Sequence, residues 1–119
     1  MTIQPVTRTD AGGATQVWLY TWAALANGDS GKPISIVDFP DKTITFTGTF
    51  GAGGSVTLEG SNDGTNFFPL KDPSGSAITK TAAGAAVVVE HPLQIRPHVT
   101  AGDGTTAIVP IIMVRRASR

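Results

Sequence analysis

The stretch "KTITFTGTF" (residues 42–50) decides the fold, because apolar residues alternate in it with threonine at a period of two. On an extended strand Ile44, Phe46 and Phe50 share one face, and the threonines at positions 43, 45, 47 and 49 share the other. Residues with β-branched or aromatic side chains favour a pleated, half-buried surface. The stretch therefore predicts a strand with one face in a core and the other towards solvent.

The neighbouring stretch "SVTLEG" (55–60) repeats the alternation, which places Val56 and Leu58 inside and Thr57 and Glu59 outside. Between the two stretches lies "GAGG" (51–54), a short segment of turn residues. Two alternating runs joined by a short glycine-rich segment predict a β-hairpin.

Further strand-like runs follow at short spacing. They are "TQVWLYTW" (15–22), "PISIVDF" (33–39), "NFFPL" (66–70), "AAVVVEH" (85–91), "LQIRPHVT" (93–100) and "TTAIVPIIMV" (105–114). Prolines at or near the ends of 33–39 and 66–70 suit edge strands, and Pro110 inside the last run predicts an edge strand or a bulge. The prediction is an all-β protein, an antiparallel, jelly-roll-like β-sandwich of about eight short strands.

The ends of the chain lack the alternation that marks the rest. Residues 1–12 show no apolar periodicity and are predicted to be a flexible N-terminal arm. Residues 13–116 are predicted to form a single sandwich domain, and residues 117–119 a basic C-terminal tail.

Composition excludes several classes of protein. The 119 residues carry a formal net charge of zero, so no global field favours nucleic acid or a membrane surface as a partner. The absence of cysteine excludes disulfides and thiol chemistry. No segment resembles a signal peptide, and the longest apolar runs fall far short of the roughly 20 residues of a membrane helix. We expect a soluble protein made in the cytoplasm.

The stretch "GDSGKP" (28–33) resembles the segment around the nucleophile of chymotrypsin-type proteases. In that family the histidine and aspartate precede the serine, and two barrels assemble the triad. Here His91 and His98 both follow Ser30, and the chain is short. The stretch also departs from a phosphate-binding loop, since Ala26 stands where glycine is needed and Pro33 where a hydroxyl residue is needed. A turn is expected.

The segment "EGSNDGTNFF" (59–68) has some of the residues of a calcium loop. Calcium takes several oxygen ligands, but only Asp63 lies between Glu59 on a neighbouring strand and Asp72 further on. Asn and Asp before Gly are also residues of tight turns. A structural turn is favoured over a metal site. A two-histidine site at His91 and His98 stays a minor alternative. We expect no cofactor, no metal and no enzymatic activity.

An aromatic stripe runs along the strand predicted at 15–22, where Trp18, Tyr20 and Trp22 share one face. The stripe could cover the core, with Val17 and Leu19 on a more exposed side. Alternatively, Val17 and Leu19 are the core pair, and the aromatic residues form an interface with a protein or a sugar. Both interpretations stay open at this point.

Four motifs between residues 55 and 116 resemble, in their order, small head proteins of tailed bacteriophages. They are "GSNDG" (60–64), "IRP" (95–97), "GDGT" (102–105) and "RR" (115–116). The similarity is greatest to jelly-roll cement or decoration proteins, which sit on an icosahedral shell. It covers about half of the chain and does not extend to the first 50 residues.

The resemblance implies a structural virion protein on the outer capsid surface, without a cofactor. Such a protein binds and stabilises the shell by bridging subunits of the major capsid protein, and we expect it to associate with itself as a dimer or trimer. Its candidate interface residues are Trp18, Tyr20, Trp22, Arg96, Arg115, Arg116, Thr2, Ile3, Gln4, Pro5 and Val6. The alternative is a phage tail or fibre sandwich that binds host carbohydrate through the aromatic residues and the loop at 61–66.

Overall fold

The structure is a computed structural model that describes residues 2–10, 17–37 and 39–116. Its regular elements are eleven β-strands. In chain order they are β1 (Ile3–Gln4), β2 (Val6–Asp10), β3 (Val17–Trp22), β4 (Ser30–Gly31), β5 (Asp41–Thr49), β6 (Ser55–Ser61), β7 (Phe68–Pro69), β8 (Thr79–Lys80), β9 (Gly84–Val87), β10 (Gln94–Ala101) and β11 (Ala107–Arg115).

The strands form two sheets. Sheet A has the order β1-β4-β10-β6-β7, with β8 also paired to β6, and sheet B has the order β2-β3-β11-β5-β9. All pairings are antiparallel except that of β1 with β4. From β3 to β6, and again from β8 to β11, each strand lies in the opposite sheet to the one before it. This alternation is that of a jelly roll, so the predicted all-β sandwich is confirmed.

The predicted hairpin at residues 42–60 is wrong, because its two strands belong to different sheets. β5 pairs with β11 and β9, whereas β6 pairs with β10, β7 and β8. Ile44 and Val56 reach the same core from opposite sides. The segment "GAGG" is therefore a corner between sheets, and positive φ angles at Gly51 (75°) and Gly53 (70°) allow the sharp change of direction.

Two further strand predictions need correction. The stretch 33–39 forms only an isolated bridge between Ile34 and Ile95, although Ile34, Ile36 and Phe39 are buried. Instead, the segment predicted to be a turn contains β4, which lies between β1 and β10 in sheet A. The apolar pattern of residues 33–39 therefore reflects burial and not strand pairing, because an irregular segment that packs on a core also needs inward apolar side chains.

Pro110 was predicted to mark an edge strand or a bulge, but β11 lies between β3 and β5 at the centre of sheet B. The regular pairing of β11 with β3 stops at Ile111 opposite Thr21, and a bridge between Ile108 and Leu25 follows. Pro110 stands in this interruption. The predicted edge position is therefore wrong. Proline has no backbone N–H to donate, and Pro110 lies where the hydrogen bonds between β11 and β3 are already interrupted.

The N-terminal residues predicted to be a flexible arm pair with both sheets in the described structure. β1 lies beside β4 at one edge of sheet A, and β2 lies beside β3 at one edge of sheet B. The carbonyl of Pro5 also accepts a hydrogen bond from the N–H of Ala23 at 3.0 Å. The rest of the predicted arm (residues 1, 11 and 12) and the basic tail at 117–119 lie outside the described residues.

The core fills the space between the sheets with aliphatic and aromatic side chains. Its largest fully buried members are Trp22, Phe46, Leu25, Ile36, Ile44, Leu58, Ile78, Ile95, Ile108 and Ile112. Thr57 and Glu59 were predicted to be outside, yet only 7% and 9% of their surfaces are exposed. They do face away from this core, as predicted, but neighbouring polar groups cover them.

Candidate functional site

The outer face of sheet B is made of threonine and aliphatic residues. Two rows of directly opposed residues cross its five strands without a charged residue. One row is Thr7, Thr21, Ile111, Thr45 and Ala85, and the next is Thr9, Leu19, Met113, Thr43 and Val87. Val109 beside Thr47, and Ala107 beside Thr49, extend the surface along β11 and β5. We call this surface the threonine–aliphatic face.

The register of β11 makes this face the outer one. Ile108, Ile112 and Val114 on β11 have no exposed surface, and the alternating residues Ile111 and Met113 are half-buried on the opposite side. Successive side chains of a strand point to opposite faces, so one side of β11 fills the core and the other meets solvent. Both sides of β11 are apolar.

Two hydroxyl groups on the threonine–aliphatic face donate to carbonyl groups within the same sheet. Thr45 Oγ1 donates to the carbonyl of Ile111 at 3.3 Å, and Thr47 Oγ1 donates to the carbonyl of Val109 at 3.2 Å. A hydroxyl with an acceptor in its own sheet loses little if a partner excludes water from it. These threonines therefore behave as only weakly polar residues towards a partner.

An ion pair marks one end of the threonine–aliphatic face. Arg115 Nη2 lies 2.8 Å from Asp41 Oδ2, and the two residues are directly opposed on β11 and β5. Both side chains are about half exposed, so the pair contributes at most about 1 kcal/mol to stability. Arg115, a predicted interface residue, thus lies at the border of the face. Arg116 lies beyond it, with its guanidinium 5.3 Å from the ring centre of Phe39.

The outer face of sheet A has the opposite character, because charged side chains pair across it. Glu59 Oε1 accepts a hydrogen bond from Arg96 Nε at 3.0 Å, and Glu59 Oε2 lies 3.3 Å from His98 Nδ1. The guanidinium of Arg96 stacks 3.9 Å from the ring centre of Phe67. Arg96, another predicted interface residue, is therefore already held by two partners within the chain.

Ser30 of the protease-like segment lies directly opposite His98 in sheet A. Since His98 also contacts Glu59, the fold brings a serine, a histidine and a carboxylate together, which the order of residues did not reveal. The Ser30 hydroxyl, however, is buried and finds no hydrogen-bond partner among the described residues. In this structure it is neither activated by His98 nor presented to a substrate.

The turn before β4 is held by Asp29, which is 6% exposed. Its carboxylate accepts hydrogen bonds from Gln4 Nε2 (2.9 Å), from the N–H of Ala26 (3.0 Å) and from the N–H of Thr2 (3.0 Å). Burial acts to raise the pKa of Asp29, but these hydrogen bonds outweigh it and hold the pKa below its usual range. Thr2 and Gln4, both predicted interface residues, are thus engaged inside the protein.

The aromatic stripe faces the core. Trp22 has no exposed surface, and its indole N–H donates to the carbonyl of Lys32 at 2.9 Å. Trp18 and Tyr20 are half-buried against the core, and Trp18 packs edge-on against Phe39 with ring centres 5.4 Å apart. The interface interpretation is therefore corrected for Trp22, which offers a partner no surface. Contacts of Trp18 and Tyr20 with a partner stay a prediction.

The remaining N-terminal candidates lie at the sheet edges. Ile3 in β1 is 59% exposed and Pro5 is also exposed, whereas Val6 is half-buried against the core. Val6 lies directly opposite Trp22 on the core side of sheet B, whereas Ile3 lies in sheet A and Arg115 lies on the outer side of sheet B. The predicted interface residues are thus spread over both sheets.

The loop of "EGSNDGTNFF" is built around the carboxylate of Asp63. It accepts hydrogen bonds from the N–H groups of Asn66 and Thr65, both at 2.8 Å, and from the side chains of Asn66 (2.8 Å) and Ser61 (2.9 Å). The hydrogen bond from the N–H of Asn66 lowers the pKa of Asp63 most, and together the four hydrogen bonds hold this pKa well below its usual range. Gly64 takes a positive φ of 78°. The carboxylate organises a turn.

No group of three or more His, Cys, Asp or Glu side chains within residues 2–10, 17–37 and 39–116 could hold a metal ion. The two histidines are not brought together either. His91 Nδ1 lies 2.7 Å from Lys42 Nζ, while His98 lies beside Glu59 on sheet A. In the described part of the chain, no helix is long and apolar enough to cross a membrane.

A groove of about 420 Å³ lies between this loop and residues 90–92. Its lining includes Asn62, Asn66, Glu90, Pro92 and the ring of Phe68, which is 67% exposed. Glu90 Oε1 accepts a hydrogen bond from the N–H of Lys71, and Asn62 Oδ1 accepts one from Leu93. The groove combines an exposed aromatic ring with amide and carboxylate groups, a combination that sequence reasoning did not connect.

The fold and its surfaces define a jelly-roll sandwich with one charged outer face and one outer face whose central rows carry no charge. Among solved structures, the chain is similar to the SPBc2 prophage-derived protein YomS, with a TM-score of 0.62. The match covers 85% of this chain and 96% of that one at 9% sequence identity, so it shows the fold alone. No protein-family description matches the sequence, and no curated protein matches it either.

Proposed function

We propose that the protein is a structural virion protein of a tailed phage, of the cement or decoration type. It binds the outer surface of the icosahedral shell and stabilises it by bridging major capsid protein subunits. The observation that carries this proposal is the threonine–aliphatic face, a surface suited to contact with protein.

When an antiparallel sheet has one face on the core and the other in solvent, polar residues usually face outward and alternate along each strand with the apolar residues of the core. The threonine–aliphatic face departs from this pattern on β3, β11 and β9, where aliphatic residues face outward, with Leu19, Ile111 and Met113 at its centre. Large exposed apolar patches with polar borders are typical of protein interaction sites. The ion pair of Arg115 and Asp41 provides such a border.

Two further observations support a phage protein. The motifs "GSNDG", "IRP", "GDGT" and "RR" resemble those of phage head proteins. The fold is similar to that of a protein whose name describes it as prophage-derived. Modest contacts are sufficient for a protein that bridges repeated shell subunits, because the second contact forms at a high effective concentration.

The proposal is tested by binding the purified chain to purified phage heads that lack it, followed by sedimentation and measurement of the bound fraction. We expect saturable binding and a higher temperature of head disruption. Met113→Glu places a charge at the centre of the threonine–aliphatic face and should weaken binding at least tenfold. Thr79→Glu, an exposed change on sheet A, is the matched control and should bind normally. Heads that bind neither protein would refute the proposal.

The groove beside Phe68 favours a second candidate, a tail or fibre module that binds host carbohydrate. An exposed ring can stack on a sugar, and the amides of Asn62 and Asn66 can hydrogen-bond to its hydroxyls. A glycan array with the wild-type chain and with Phe68→Ala tests this function. Binding to a glycan that Phe68→Ala abolishes, without binding to heads, would replace the decoration function with this one.

A further inference from the structure

We propose that the threonine–aliphatic face is covered by the same face of a second copy, in a twofold dimer whose axis passes near Ile111 and Met113. The inference names a second copy as the partner of the surface on which the proposed function also rests. The dimer then contacts the shell through other surfaces, once from each copy, and bridges two shell subunits by its symmetry. Four features of that surface favour a second copy as its occupant. They are the absence of charge from its central rows, its size, the internal hydrogen bonds of two of its hydroxyl groups and its apolar centre.

A twofold axis brings each residue of a surface close to the equivalent residues of the partner, so like charges meet unless the surface has none. The two central rows of the threonine–aliphatic face contain no charged residue. The outer face of sheet A, with Glu59, Arg96 and His98, lacks this property. The formal net charge of zero also leaves no long-range repulsion between two copies.

The size of the face is close to what a stable dimer needs. Five strands spaced by about 4.8 Å span about 24 Å, and seven residues of β11 span about 23 Å. Because β2 has five residues and β9 four, the face offers at most roughly 550 Å² per copy, or roughly 1,100 Å² in all, just below the roughly 1,200 Å² at which stable specific interfaces begin. Val17 and the ion pair of Arg115 with Asp41 add contact area at the border.

Two hydroxyl groups of the face keep a hydrogen-bond partner when a dimer buries them. The hydroxyls of Thr45 and Thr47 already donate to carbonyl groups of β11, so they do not need water as an acceptor. Leu19, Ile111 and Met113 lie at the centre, where a packed interface has its most apolar residues. Two sheets packed in this way would lie about 10 Å apart.

A single cysteine tests the geometry, because the chain contains no cysteine of its own. Ile111→Cys places one thiol beside the proposed axis, and Thr79→Cys places one on the outer face of sheet A. Treatment with a short bismaleimide should link most of the Ile111→Cys chains as dimers and leave Thr79→Cys monomeric. Equal cross-linking of both variants would overturn the proposal. So would an Ile111→Cys thiol that reacts with a monomaleimide but forms no cross-link.

The solution mass tests the same proposal without a cysteine. Light scattering should give twice the chain mass of 12.3 kDa for the wild type, and one chain mass for a folded Met113→Glu variant. A wild-type monomer or trimer would overturn the second-copy proposal, whether or not the protein binds heads. A dimer that binds no heads would instead refute the decoration function alone.

Discussion

Trp22 in β3 and Gly31 in β4 are in contact across the two sheets. A Cβ atom on Gly31 would lie 2.5 Å from Cδ1 of Trp22 and 2.7 Å from Cδ of Pro97. The indole N–H of Trp22 donates to the carbonyl of Lys32, the residue after Gly31. The tryptophan therefore fixes the backbone of the protease-like segment, which explains why this segment is a buried strand.

Gly31→Ala should destabilise the fold by about 1–3 kcal/mol, because the added methyl group must displace a packed indole or a proline ring. The free energy of unfolding in urea measures this loss. Gly104→Ala is the matched control, since a Cβ there meets no atom within 4 Å, and its effect should stay within about 0.5 kcal/mol. Equal effects of the two substitutions would contradict the close contact.

The two tryptophans should differ in their accessibility to iodide. Trp22 has no exposed surface, whereas Trp18 is half-buried between Phe39 and Arg116. In the Trp22→Phe variant the remaining Trp18 fluorescence should be quenched readily, and in Trp18→Phe the remaining Trp22 fluorescence should resist quenching. The ratio of the two Stern–Volmer constants measures the difference. A Trp18 as protected as Trp22 would mean that it belongs to the core and offers a partner no surface.

Alternation predicted the long strands correctly, because β5, β6, β10 and β11 each place alternate apolar residues in the core, although polar neighbours also cover the outer face of β6. It could not predict their neighbours, since it identifies the buried residues and not the adjacent strand. Ile44 and Val56 have the same pattern whether their strands pair or face each other across a core. The hairpin and sandwich arrangements of residues 42–60 therefore have the same sequence pattern, and only the full topology separates them.

The sequence did not predict the threonine–aliphatic face for a related reason. β3 carries apolar residues on both sides, so the pattern allowed either Leu19 or Tyr20 to face the core. The structure decides this by register, because Tyr20 is opposite the buried Ile112 and Leu19 is opposite the half-buried Met113. One signal was present in the sequence: the outward threonines of "KTITFTGTF" carry no charge.

The carboxylate of Asp103 should make stability depend on acidic pH. It accepts hydrogen bonds from Thr105, through its hydroxyl (2.7 Å) and its N–H (2.9 Å), and from the N–H of Ala52 (2.8 Å). The hydrogen bond from the Thr105 hydroxyl has the largest effect, and together these contacts lower the pKa of Asp103 to about 2. The folded-state pKa is thus below the unfolded value of about 3.9, so the stabilisation is complete above about pH 4 and is lost as the pH falls through about 2.

Asp103→Asn should remove this part of the acid sensitivity. The wild type should lose more stability than the variant between about pH 5 and about pH 2.5, as measured by urea midpoints. Asp41→Asn is a suitable control, because the Asp41 carboxylate is exposed and pairs only at the surface. Parallel pH profiles of the wild type and Asp103→Asn would mean that the carboxylate does not hold the corner at Ala52.

Lys42 should make stability depend on alkaline pH. Its Nζ donates to the carbonyl of Phe39 at 3.0 Å, and burial lowers the pKa of Lys42 below its ordinary value of 10.5, against an opposing effect of Asp41. The unfolded chain therefore binds more protons in the interval just below pH 10.5, and the stability contributed by this group rises with pH there. Urea midpoints at about pH 8 and pH 10 should rise more in the wild type than in Lys42→Met. A constant difference between the two would contradict the burial effect.

The N-terminal residues offer the sharpest contrast between the sequence and the structure. A flexible arm could be deleted without loss of stability, whereas the described structure places residues 2–10 in both sheets and engages Thr2 and Gln4 with the carboxylate of Asp29. Deletion of residues 2–10 should therefore cost more than about 2 kcal/mol, or about 8 °C or more in Tm for a domain of this size. Gln4→Ala removes one hydrogen bond to a charged acceptor and should cost about 1.5–3 kcal/mol. An unchanged Tm after the deletion would show that these strands add nothing to the fold and would restore the prediction of an arm.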